Sequence, residues 1–360
     1  MDSPLAESHA LAAPPPRTVV EVVYPPHRGR IGLRGSHVPL SWESTLPPTR
    51  VKGDRHFFEL ELPPNVVMEL KLVRDEQDWA KGRNYTVHAG HELLIEPSFD
   101  RETTRLEPLR TLDAPSGPLM FEVLLPPTYD EQENKRYPVL YVMDGQSLWS
   151  TSQDPYGVWG LEGVLDNLYA LNAISEAIVV GIHTADRRLE RLSPVADAGH
   201  GGGEGPAFLE DLIRTLKPEI DARFRTQPVR ECTGIMGSSM GGLFAFFAAW
   251  SRPDVFGKAA CLSSSFWWAD RFAVRLAELG DLPSPLPVLY VDSGASLNPH
   301  EKDLSVRDGF RHTTAMFHAL TSRGFTPGVD LHRLVFAGHR HDPASWAARV
   351  AIPLQLLFPI

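Results

Sequence analysis

The most constraining stretch of this chain lies between Cys232 and Trp250. Cys232-Thr233-Gly234-Ile235-Met236 is a short run able to form a buried strand. Gly237-Ser238-Ser239-Met240-Gly241-Gly242 follows, and then Leu243-Phe244-Ala245-Phe246-Phe247-Ala248-Ala249-Trp250, apolar at helical spacing. G-x-S-x-G alone would arise by chance in roughly 15 % of chains this long. Set between a buried strand and a helix it is far more specific, because that setting makes a sharp elbow with the central serine at its apex. A side chain two residues either side of the serine would collide with the strand or the helix, which is why both positions are glycine. Ser239 is therefore the expected nucleophile, held at the positive end of a helix. Ser238 is chemically equal but off the apex.

The rest of the chain changes rhythm once. Residues 1–16, ending in Ala13-Pro14-Pro15-Pro16, read as a disordered tail. From there to residue 100 the period is two: Phe58, Leu60 and Leu62 alternate with Glu59 and Glu61, and Met68, Leu70 and Leu72 with Glu69 and Lys71. Such half-buried strands between Pro and Gly turns predict a small antiparallel sandwich over 17–100. The polar stretch 101–116 reads as a linker. Over 117–360, continuous apolar runs at 119–125, 138–143, 177–182, 259–262, 288–291 and 331–336 alternate with helical segments at 160–171, 206–224, 310–320 and 343–358. That alternation predicts α/β architecture: a mainly parallel central sheet covered on both faces, arranged like an α/β-hydrolase.

Composition narrows the partners. A net charge of −10 gives no basic field for nucleic acid, so none is expected. No apolar run reaches the roughly 18 residues of a membrane span. The first residues lack the basic and apolar regions of a secretory signal, and Cys232 and Cys261 read as buried free thiols, so a cytoplasmic protein is expected. The expected partner is a small-molecule ester; a homo-oligomer stays open.

A serine hydroxyl needs a base, itself oriented by an acid, and in this fold class the order is serine, acid, histidine. After the last strand comes Ala337-Gly338-His339-Arg340-His341-Asp342-Pro343. Asp342 can cap the final helix and Pro343 take its first position, which fixes His341 and favours it over His339. Two histidines without a third ligand define no metal site, so no metal and no cofactor is expected. Four acids compete for the loop after 288–291: Asp292, Glu301, Asp303 and Asp308, the last placed just before a helix. The oxyanion needs two donors, for which the Met240 N–H and the Gln146 N–H are expected, with Gly145 allowing close backbone approach. Phe266-Trp267-Trp268 follows a strand on the serine's side of the sheet, so Trp267 and Trp268 are candidate pocket walls. Arg187 and Arg188, on the same side, would hold an acidic group of a substrate or pair with Asp186 or Glu190. The glycine-rich 199–203 reads as a mobile loop beside the site, without a phosphate-loop ending.

These motifs, in order, resemble the esterase family typified by enterochelin (trilactone siderophore) esterases. The resemblance rests on Val139 through Gln146, Asp186-Arg187-Arg188, Lys217-Pro218-Glu219-Ile220-Asp221, the elbow, and Ser265-Phe266-Trp267-Trp268. Feruloyl esterases, S-formylglutathione hydrolases and mycolyltransferases are similar. The resemblance covers about 117–358 and implies a serine carboxylic-ester hydrolase working through an acyl-enzyme. The family's histidine with a tryptophan five residues on fits His341 and Trp346, and its Asp-Gly…Thr segment fits Asp308, Gly309 and Thr313. Two departures stand out: Met143 where the family often has histidine, and a longer loop over 293–307. The first domain resembles, weakly, the immunoglobulin-like carbohydrate-binding modules that precede some of these esterases. Trp42 and Trp79 are expected in its core or at the esterase entrance before any sugar. The alternatives are an acyltransferase on the same residues and a non-catalytic glycan-binding protein.

Overall fold

The computed structural model describes residues 17–184, 187–296, 298, 300, 302–303 and 307–360. The tail 1–16, Asp186 and Glu301 lie outside the described residues. Contacts divide the chain into two units, 1–102 with 130–133, and 103–129 with 134–360.

The first unit is all-β. Its strands are β1 (Thr18–Val23), β2 (Ile31–Gly35), β3 (Arg50–Lys52), β4 (Arg55–Leu60), β5 (Val67–Arg74), β6 (Asp78–Trp79), β7 (Tyr85–His88) and β8 (Glu92–Ile95). One sheet runs β3-β4-β1-β8; the other has β5 paired to β2, β6 and β7. Pairing is antiparallel except between β1 and β8. The period-two pattern works as expected: Val20, Val22, Phe58, Leu60, Met68, Leu70 and Leu72 share one dry core. Trp42 and Trp79 are not in it. Both are over a third exposed, with rings 6.4 Å apart. Residues 130–133 join this unit through Glu131, whose carboxylate accepts from the Tyr24 hydroxyl (2.6 Å) and the Phe99 N–H (2.8 Å).

The second unit holds β9 (Arg105–Leu106), β10 (Arg110–Leu112), β11 (Leu119–Leu125), β12 (Val139–Met143), β13 (Ile178–His183), β14 (Thr233–Ser238), β15 (Lys258–Leu262), β16 (Val288–Ala295) and β17 (Leu331–Ala337). The order is β10-β11-β13-β12-β14-β15-β16-β17, with β9 also on β11. From β13 to β17 every pairing is parallel; β9, β10 and β11 add an antiparallel edge. The stretch 101–116 is thus no free linker, since β9 and β10 hydrogen-bond into the sheet.

Alternate residues of one strand serve two layers. Val139, Tyr141 and Met143 pack with Phe208, Leu212 and the helix Met240–Ser251. Leu140 and Val142 pack with the helices Leu161–Ala170 and Ala351–Leu357. The run 206–224 is helical from Gly205 to Arg223, with a π-turn at Leu212–Leu216 just before Pro218, which has no N–H for the ladder. The expected helix 343–358 is two pieces, Pro343–Ala347 and Ala351–Leu357. Cys261 is buried and Cys232 only half-buried; both are free. No helix among the described residues is long and apolar enough to cross a membrane.

Candidate active site

The elbow forms where β14 meets the helix Met240–Ser251. Ser239 takes φ 56° and ψ −118°, a strained backbone for a residue with a Cβ. Hydrogen bonds on both sides hold it there: its N–H donates to the Leu262 carbonyl (3.0 Å), and its carbonyl accepts from the Ser265 N–H (2.9 Å) and the Leu243 N–H (3.1 Å). Gly237 is required by space, because a Cβ there would sit 2.5 Å from the Gly241 carbonyl carbon. The Ser239 Oγ lies 2.9 Å from His341 Nε2 and 3.3 Å from Ser265 Oγ.

His341 lies immediately before a capped helix. Asp342 caps the next helix, accepting from the Ser345 N–H at 2.8 Å, and Pro343 starts it. Trp346, one turn on, meets the imidazole edge to face, with centroids 5.2 Å apart. Its indole N–H donates to Ser263 Oγ at 3.0 Å. His339 turns instead to the Ser345 carbonyl (3.3 Å).

Of the four candidate acids, Asp308 reaches the histidine: His341 Nδ1 lies 2.6 Å from Asp308 Oδ1. Asp308 is fully buried and left-handed at φ 43°, and the helix Phe310–Ser322 is capped by Gly309, so Asp308 is not its cap. Burial alone would push this carboxyl up. Hydrogen bonds from His341, from the Ser263 hydroxyl and from the Gly294 N–H outweigh it and hold the carboxyl below the ordinary aspartate value. Asp292, also buried, faces Arg349 through two 3.0 Å contacts and accepts from the Tyr290 hydroxyl at 2.8 Å. Arg349 also reaches Asp308 at 3.3 Å. Asp303 faces Arg340 at 3.4 Å.

Ser239 and His341 open on a cleft of about 1010 Å³, also lined by Gln146. Gln146 sits in a tight turn after β12, where a Cβ on neighbouring Gly145 would come within 2.7 Å of the Gly181 backbone. The Met240 N–H, first in its helix, has no acceptor within the helix.

The expected pocket walls are not where the sequence put them. Trp268 is buried and donates to the Val195 carbonyl (2.7 Å), while Trp267 is partly exposed against His200. Neither lines the cleft. The 199–203 loop packs on these two tryptophans through His200. The aromatic lining comes instead from Trp149, Tyr156, Trp159 and Trp346. The first three lie between β12 and the helix Leu161–Ala170, at the same sheet end as the elbow. The rule that flagged 266–268 would have found them. Arg187 points to the Ser116 carbonyl (2.8 Å) and to Glu204, away from the cleft. Arg188 lines the cleft, but Asp144 holds it through two 2.8 Å contacts. Its partner among the described residues is therefore Asp144 and not Glu190, and Asp186 lies outside them. Burial opposes that guanidinium's charge, yet Asp144, helped by Asp154, keeps it above its ordinary value. Among the described residues no three His, Cys, Asp or Glu side chains are grouped to hold a metal. The arrangement can pass a proton from a serine hydroxyl to an imidazole braced by a buried carboxylate.

Residues 114–324 match the family described as "Putative esterase". The uncharacterized protein YbbA of Bacillus subtilis is 25% identical over 217 residues, 59% of this chain and 81% of its own. The siderophore triacetylfusarinine C esterase of Aspergillus fumigatus is 27% identical over 157 residues, 42% of this chain; the match spans about half, 52%, of that relative. The solved ferric enterobactin esterase of Salmonella typhimurium superposes with a TM-score of 0.54 at 16% identity, over 91% of this chain and 88% of that one. That likeness is one of fold.

Proposed function

The chain belongs to the esterase family and is a carboxylic ester hydrolase, and from that premise we propose that it works through an acyl-enzyme on Ser239. The observation that carries the proposal is the hydrogen-bonded line Ser239–His341–Asp308, built on a strained elbow at a cleft. His341 takes the serine proton as Oγ attacks the ester carbonyl. Asp308 holds the imidazole in one tautomer and balances its charge once protonated. The N–H groups of Met240 and Gln146 receive the oxyanion. His341 then protonates the departing alcohol, and water, activated by the same imidazole, releases the acid.

The tryptophan and tyrosine lining suits an aryl or alkyl ester. The siderophore esterases among its relatives make a siderophore lactone the natural comparison. The all-β unit is proposed as an immunoglobulin-like module, and the protein as cytoplasmic. A fluorophosphonate probe should label the folded protein, and Ser239→Ala should abolish both labelling and nitrophenyl ester turnover. A folded protein that neither labels nor turns over would end the proposal.

A further inference from the structure

The cleft beside Ser239 has a lopsided charge. Among its described lining residues are four carboxylates, Glu122, Asp144, Asp154 and Asp342, against a single arginine or lysine, Arg188. That arginine is already held by Asp144 on two contacts. Glu122 accepts from Trp149 Nε1 (2.8 Å) and faces His183 Nε2 at 2.9 Å, so it is offset only when His183 is protonated. Asp154 accepts from the Ser147 hydroxyl (2.6 Å) and the Tyr156 N–H (2.9 Å), and Asp342 from the Ser345 N–H (2.8 Å). These are neutral donors, and they leave both charges standing. No ion pair among the described residues involves Asp154 or Asp342. The lining therefore carries about two to three net negative charges, and a cleft lined by one sign of charge focuses its field on an entering substrate, most strongly at low salt. Its uncharged lining includes Trp149, Tyr156, Trp159 and Trp346, with Tyr156 almost fully exposed, and aromatic faces attract cations.

We propose that this cleft selects its ester by charge, accepting cationic and neutral esters and rejecting anionic ones, polycarboxylates and the multiply negative iron complexes of catecholates included. The proposal rests on the ester-hydrolase reading of the same site and reverses the anion-binding role that Arg187 and Arg188 suggest in the sequence. Asp144 consumes the one cation, and Asp154 and Asp342 set the sign.

The test uses three nitrophenyl esters of equal acyl length ending in a carboxylate, a methyl or a trimethylammonium group. At an ionic strength of about 20 mM the trimethylammonium ester should exceed the carboxylate ester at least about tenfold in kcat/KM, with the methyl ester between. The spread should shrink at about 500 mM salt, where the Debye length is a few ångströms. Asp154→Asn removes the charge, its oxygen still able to accept from the Tyr156 N–H and its amide N–H to donate to the Ser147 hydroxyl oxygen, and should raise the carboxylate-to-methyl ratio about threefold. Binding of the three esters to Ser239→Ala by calorimetry should follow the same order, and does not depend on turnover. A carboxylate ester that binds or reacts as well as the methyl ester, or a ratio untouched by salt and by Asp154→Asn, overturns the proposal. If that occurs while fluorophosphonate still labels Ser239, the charge inference fails alone. Without labelling the acyl-enzyme reading fails, and the binding order still decides the charge question.

Discussion

Replacing Gly237 by alanine probes the elbow most directly. The new methyl would lie 2.5 Å from the Gly241 carbonyl carbon, 2.6 Å from its oxygen and 2.9 Å from its Cα. Ordinary contact begins at 3.4 Å, so the turn and the first turn of the helix must part by 3.4 − 2.5 = 0.9 Å. These are backbone atoms, and no side-chain rotation relieves them. A displacement of that size carries the Ser239 Oγ from 2.9 Å to beyond hydrogen-bond reach of His341. Misplacement near 1 Å costs about 100-fold in rate, or about 2.7 kcal/mol of transition-state stabilisation. Overpacking should also cost about 1–3 kcal/mol of stability. The assay is kcat/KM on a nitrophenyl ester together with the fluorophosphonate labelling rate, with circular dichroism and Tm to verify folding. Gly163→Ala is the control: it lies in the helix Leu161–Ala170 with no atom within 4 Å of its new methyl. It should gain about 0.5–1 kcal/mol and keep its activity. A folded Gly237→Ala within threefold of the parent rate would refute the steric account of the elbow.

Asp308→Asn should lower kcat by about 10⁴-fold, because the amide favours the wrong imidazole tautomer; single-turnover kinetics measures it. Because the folded Asp308 carboxyl lies below its unfolded value, its contribution to stability is present above the unfolded value, about pH 3.9, and is lost as pH falls through the folded one. Melting curves across that window should therefore fall less steeply for Asp308→Asn than for the parent. Arg349→Met removes a positive charge 3.3 Å from Asp308, favours protonated His341, and should move the ascending limb of the pH–rate profile up by about half a unit. Asp292→Asn leaves that charge uncompensated and should move the limb down; shifts of the same sign would contradict the electrostatic reading. Trp346→Phe keeps the ring against His341 but loses the bond to Ser263, and should cost about 1 kcal/mol in Tm-derived stability.

Local features were legible in the sequence because short-range chemistry fixes them. The two glycines of the elbow, the Asp342–Pro343 cap that pins His341, and the period-two alternation of Phe58, Leu60 and Leu62 each follow from backbone sterics or strand geometry alone. The parallel sheet was legible too, since Val139 to Met143 is apolar on both faces and needs two covering layers. What pairs with what was not legible. Arg188 could have taken its near neighbour Glu190, but β12 and β13 lie side by side and bring Asp144, 44 residues away, to its guanidinium. The same holds for Asp308, one of four acids along one loop until folding buries it beneath His341, and for Trp267 and Trp268, whose place at a strand end did not say which way they face. Backbone conformation is chosen within a few residues, whereas charge pairing, burial and the wall of a cleft are chosen between segments that only the folded sheet makes neighbours.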